Sequence, residues 1–362
     1  MILSDGGAGL CTLTIALLLL AGRLEVWHIY LVLGISAAFQ AFQWPAYSAA
    51  TTLLVPQKHF GRASGMVQLS EAVAQIVSPV LAGVLLGLIQ IQGVILTDFA
   101  TFLFALLTLL FVRLPRPETT AEGKRGQGSL LKEATYGWTY ITARRGLLAL
   151  LVFFAATNFT SSIVGVLFTP LVLSFATPAI LGTIMSIGGL GFLLGSLTMS
   201  VWGGPRWRMY GILGFSALQA VVLFAAGLPP HSLIYATAAF LFFFSIPVIN
   251  GCSQAIWQSK VAPDVQGRVF AVRRMIAWSS LPLAYATAGP LADFIFEPLF
   301  AKGGLLAGNI GQVIGVGPGR GIGFLFMVLG VLSLLATMVG YLYPRLRRVE
   351  SELPDAFAAR AT

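Results

Sequence analysis

Apolar runs of about 20 residues follow one another along almost the whole chain, broken by short polar connections. Ten can be drawn, at 5–22, 28–54, 64–89, 93–113, 147–173, 178–202, 209–227, 232–255, 274–297 and 321–343. A run of that length crosses hydrocarbon as a helix, whereas a barrel strand needs only about ten residues of alternating polarity. Alternation is scarce here. The pattern predicts an all-α membrane protein with about ten transmembrane helices.

The pattern also repeats. VPQKHFGR at 55–62 returns as VAPDVQGR at 261–268, so that Gly61-Arg62 recurs as Gly267-Arg268, 206 positions on. The same offset aligns the run opening at Asp5 with the one opening near Gly211. Two further runs, starting near Gly146, precede Gly211, and their counterparts in the first copy would precede Met1. Parallel duplication of hydrophobic segments marks secondary transporters. The expectation is a duplicated carrier with four helices of its first copy and six of its second. Residues 1–114 would form an N-terminal bundle, 115–145 a linker, 146–345 a C-terminal bundle and 346–362 a tail. Within the linker, PRPETTAEGKRGQGS is polar and rich in Pro and Gly. SLLKEATYGWTYITARR then offers Ser129 as an N-cap and Leu131, Ala134, Trp138 and Ile141 on one face, which predicts an interfacial helix.

Composition agrees, with 57% hydrophobic and 10% charged residues and a mean hydropathy of +0.86. The net charge of +9 raises nucleic acid as a partner, but no basic cluster is interleaved with aromatics as such a platform requires. Nineteen of the 22 Lys and Arg, Arg273 and Arg274 among them, fall in connections on one side of the ten-run topology. Arg23, Lys302 and Arg320 fall on the other. The positive-inside rule makes the crowded side cytoplasmic, along with both termini. Cys11 and Cys252 sit inside apolar runs and read as small core residues. His28, His59 and His231 form no ligand spacing, so neither a metal nor a cofactor is expected. The glycine-rich Gly315–Gly323 follows no strand and lacks a Walker Lys-Ser/Thr pair, and reads as an outer turn. Asp293 and Glu297 read as interfacial acids touching water. No nucleophile-base constellation occurs, so an enzyme has no residues to rest on.

Polar residues inside the runs are unevenly spread. Gln68, Glu71, Gln75 and Ser78 share a helical face in the third run, Gln40, Gln43 and Tyr47 in the second, and Asn250, Gln254 and Gln258 in the eighth. The fifth carries Thr157-Asn158, Thr160, Ser161 and Ser162. Unpaired polar groups in hydrocarbon cost several kcal/mol each, so such stripes must face other helices or water. They are either interhelical glue or the wall of a cavity, and their recurrence in corresponding helices favours the cavity. Gln40, Gln43, Gln68, Gln75, Asn158, Asn250 and Gln254 are the cavity candidates. Glu71 could load and release a proton there, as a coupling site must. Asp98 is a second proton candidate, or a cap for its own helix. Arg62 and Arg268, at matching helix starts, are gates or anchors.

MILSD followed by a span, VPQKHFGRASG, TDFATFLFALLTLL and GWTYITARRGLLALLVFFAATNF together resemble the major facilitator superfamily. They resemble its drug- and siderophore-exporting branch, which holds macrolide efflux pumps and enterobactin-type exporters. The family's signature loop before the third helix would lie ahead of Met1, and GGPRWRMYGIL at 203–213 resembles its second-half counterpart. The resemblance implies two helical bundles around a central cavity. It also implies a monomeric, proton-coupled bacterial inner-membrane exporter of an amphipathic small molecule. A rival reading of the same fold is a truncated, non-transporting relic or scaffold.

Overall fold

The computed structural model describes residues 2–111, 128–229 and 231–356, and every regular element among them is helical. α1 (Ile2–Leu20), α2 (Val26–Leu54) and α3 (Phe60–Phe111) come first. α3 breaks at Gln90, whose φ of 58° and ψ of −179° lie outside the helical region. The shorter α4 (Leu130–Ala143) follows, then α5 (Arg145–Leu173), α6 (Pro178–Trp202), α7 (Arg208–Ala226), α8 (Ser232–Lys260), α9 (Gln266–Pro290) and α10 (Arg320–Leu342). A π-helical turn, Leu291–Phe296, prolongs α9. Most of the sequence PRPETTAEGKRGQGS lies outside the described residues.

The repeat reappears in the helix limits. α1 and α7 begin at Ile2 and Arg208 and end at Leu20 and Ala226, the same offset at both ends. α2 and α8 keep it from Val26 and Ser232 to Leu54 and Lys260, and α3 and α9 keep it at their starts, Phe60 and Gln266. Two copies of one apolar pattern have folded into two copies of one helical unit.

Seven described stretches are long and apolar enough to cross a membrane. α9, whose first half carries Arg268, Arg273 and Arg274, is not among them. Leu88, Phe104, Leu283, Phe294 and Val339 stand exposed on the exterior, as they must where the surrounding phase is hydrocarbon. This is a multi-pass membrane protein.

Two apolar cores hold the second half together. One gathers Leu147, Met199, Trp257, Phe270 and Leu346, and the other Leu171, Ile184, Tyr235, Ala288 and Phe326. Gly191 and Gly195 of α6 abut the carbonyls of Phe240 and Phe244, so α6 and α8 pack backbone to backbone. Ser129 caps α4 by accepting from the Lys132 amide at 3.4 Å. α4 docks on α9, where the Arg268 guanidinium reaches the Glu133 carboxylate at 3.6 Å.

The front helices meet the rear ones along α3, which packs on α6 and α8, and along α2, which packs on α9. Gly61 and Gly65 are decisive there. Any side chain on Gly61 would collide with the Gly203 carbonyl, and a Cβ on Gly65 would lie 2.5 Å from the Ser200 amide nitrogen. Two hydrogen bonds cross the same seam. Gln68 Nε2 donates to the Pro247 carbonyl at 3.1 Å, and Gln258 Nε2 to the Ser48 carbonyl at 3.2 Å.

The glycine-rich turn has a structural task. Both Glu297 oxygens accept amides at the start of α10, from Gly319 at 3.2 Å and Ile322 at 3.0 Å. Glu297 is thus a helix cap rather than a water-facing acid. It fills the anion-favouring helix N-terminus with the protein's own carboxylate.

Candidate functional site

Between the front and rear helices lies a cavity of about 370 Å³. α3 contributes Ser64, Gln68 and Glu71, α5 contributes Asn158, and α8 contributes Asn250, Gln254 and Trp257. The opposite wall is α9, with Arg273, Arg274 and Trp278, and Trp44 of α2 closes one side. Five residues singled out from the sequence therefore meet in one place: Gln68, Glu71, Asn158, Asn250 and Gln254.

The remaining candidates lie elsewhere. Gln75 is exposed one turn past Glu71, beyond the cavity's reach. Gln43 is partly buried and does not line this wall. The Gln40 side chain lies outside the described residues, although its backbone belongs to α2. Asp98 is exposed past the break at Gln90, two turns inside helix, so it neither lines the cavity nor caps an N-terminus. Arg62 lies against Gly203 at the α3–α6 crossing, and Arg268 ties α4 to α9. Each arginine thus stands where two helices meet.

Arg273 and Arg274 correct the sequence reading most. Counted there as loop charges, they stand two turns inside α9, because the helix begins at Gln266. Arg273 is committed to α8: it donates to Gln254 Oε1 at 2.9 Å and Ser253 Oγ at 3.1 Å, with its guanidinium 5.1 Å from the Trp257 ring centroid. The Arg274 guanidinium lies over the Trp44 ring, 5.1 Å from its centroid, and over the Trp278 ring at 4.7 Å. It faces Glu71, and each side chain lies within the other's electrostatic field. The repeat held the missed signal. Adding its offset to Gln68 gives Arg274, and adding it to Trp44 gives Asn250, so both of these positions have a cavity counterpart.

The cavity continues into less polar space. An adjoining space of about 620 Å³ shares Asn158, Ala277 and Trp278 with it. A further pocket of about 270 Å³ shares Ser161 and Gly165 with that space and is lined mainly by apolar groups such as Phe168, Met185, Phe243 and Phe326. Charge stands at one end of this path and hydrocarbon at the other. Among the described residues no group of His, Cys, Asp or Glu could hold a metal, and Cys11 and Cys252 are free and buried.

Residues 1–285 match the family model of the Major Facilitator Superfamily. The chain belongs to that superfamily. This major facilitator is 27% identical over 280 residues to macrolide efflux protein A of Streptococcus pyogenes, covering 75% of this chain and 68% of that protein. It is 27% identical over 268 residues to the protein of the same name from Enterococcus faecalis, covering 72% and 81%. Its fold is similar to a bacterial homologue of the iron transporter ferroportin in the outward-facing state, at a TM-score of 0.62 and 13% identity over 93% of this chain and 82% of that one. The superfamily makes this chain a membrane transporter and not an enzyme. No catalytic constellation is needed, because the work is done by binding and by exchange between conformations.

Proposed function

We propose that this major facilitator is a secondary active exporter of a bacterial inner membrane. It moves an amphipathic small molecule by alternating access in exchange for protons, with Glu71 as the proton carrier. The observation that carries this reading is a polar cavity, at the seam between the repeats, lined by both Glu71 and Arg274. A carboxylate among membrane helices is costly unless it serves a pathway, and Glu71 stands where cargo and water would meet it. The graded path from this cavity to the apolar pocket suits an amphipath, and its size falls in the range of drug-binding sites. Relatives named for macrolide efflux support the outward direction.

Residues 1–114 and 146–345 act as the two rocking bodies, with 115–145 as the connection and 346–362 as a tail. Lys and Arg placement puts both termini in the cytoplasm. One chain is the working unit, its α2, α3, α5, α8 and α9 all contributing to the cavity. Gln68, Asn158, Asn250 and Gln254 bind cargo, while Arg62 and Arg268 anchor the helix ends.

The test is drug-dependent collapse of a pH gradient in everted vesicles, using erythromycin, enterobactin and ethidium as the panel. Wild-type protein should dissipate the gradient with at least one of them, and Glu71→Gln with none at equal expression. Equal dissipation by the two proteins would reject Glu71 as the carrier.

A further inference from the structure

The charged end of the cavity holds two opposite charges that face one another without forming a salt bridge. The Arg274 guanidinium lies over the rings of both Trp44 and Trp278, and its Nη1 is buried without a hydrogen-bond partner among the described residues. A guanidinium held against two indole rings is restricted in its movement, so an acceptor arriving there has less side-chain entropy to remove. A buried donor left unpaired is costly, and an acidic group would satisfy it. Arg273 is already engaged, with one donor on Gln254 and another on Ser253. Glu71 opens onto the same space and makes no hydrogen bond or salt bridge to a described residue.

These placements discriminate between headgroups. An anion gains Arg274 but meets Glu71. A cation gains Glu71 but meets two arginines. A headgroup carrying both charges meets neither penalty.

We propose that the polar end of the cavity is a receptor for a zwitterionic headgroup, with the acidic group of the cargo on Arg274 and its ammonium on Glu71. This rests on the cavity being the cargo site, and it names the class of cargo. It also supplies the exchange: a proton on Glu71 removes the ammonium's partner, so proton and cargo displace one another.

Three ligands with one aromatic body test it: 3-(2-naphthyl)alanine as zwitterion, 3-(2-naphthyl)propanoate as anion and 2-(2-naphthyl)ethylamine as cation. Each is titrated calorimetrically into the purified full chain at neutral pH, with no membrane gradient. The zwitterion should bind at least tenfold more tightly than either analogue, as charge-assisted contacts require. Glu71→Gln should reduce its affinity to that of the anion, and Arg274→Gln to that of the cation. Where Arg274→Gln yields no folded protein, Arg274→Lys and the wild-type ranking decide. Equal binding of a singly charged analogue, or no saturable binding of the zwitterion, overturns the proposal. Because binding is read without transport, a failed ranking leaves the efflux test standing, and a failed efflux test leaves the ranking standing.

Discussion

Glu71 on α3 and Arg274 on α9 face one another across the seam between the two repeats, each within the other's field and both open to the same cavity. Their effects should therefore be coupled. Glu71→Gln and Arg274→Gln should each lower proton-driven export at least tenfold. The double variant should be no worse than the weaker single, because residues acting as a unit are non-additive. Rates in proteoliposomes measure the cycle, and losses that simply multiply would show that the two residues act independently.

The α3–α6 crossing depends on missing side chains. Gly61→Leu and Gly65→Leu should each destabilise the chain by about 1–3 kcal/mol, because backbone stands where the new atoms would go. Gly83→Leu and Gly87→Leu, with nothing within 4 Å of an added Cβ, should leave thermal stability unchanged. Thermal unfolding in detergent compares the four variants.

Lys260 fastens the tail. Its buried ammonium donates to the carbonyls of Glu350 and Leu353, the latter at 2.6 Å, and pairs with Asp355 at 2.8 Å. Glu350 in turn accepts from the Met209 amide at 2.9 Å, which joins the tail to the start of α7. Lys260→Met should cost about 1–3 kcal/mol, the scale for leaving buried acceptors unpaired. Asp355→Asn should cost about 1 kcal/mol or less, because that carboxylate is exposed. Limited proteolysis of the tail and thermal unfolding report both.

Much of the fold is legible in the sequence. The helices follow from the apolar runs, and the recurring Gly-Arg dipeptide exposes a repeat whose offset reappears in the limits of three helix pairs. Gln68, Glu71, Asn158, Asn250 and Gln254 are visible because a polar stripe on an apolar helix must turn toward a neighbouring helix or toward water. Arg273 and Arg274 are hidden by the same rule that fixes the topology. Near a helix start, an anchor and a cavity wall look alike, and only the early start of α9 at Gln266 separates them. Gln75 continues the stripe of Glu71 in one dimension, but the cavity ends before it does. The Glu297 cap is illegible because its partners lie more than twenty residues downstream in a glycine-rich turn.

The most direct test of the central claim is whether the cavity wall meets water from each side of the membrane in turn. A single cysteine at Asn158, in a chain with Cys11→Ala and Cys252→Ala, would be offered a membrane-impermeant thiol reagent from one face at a time. Labelling from one face in the resting protein, and from the opposite face once an inward proton gradient is imposed, is the predicted result. Labelling from the same face under both conditions, or from neither, would contradict alternating access through this cavity.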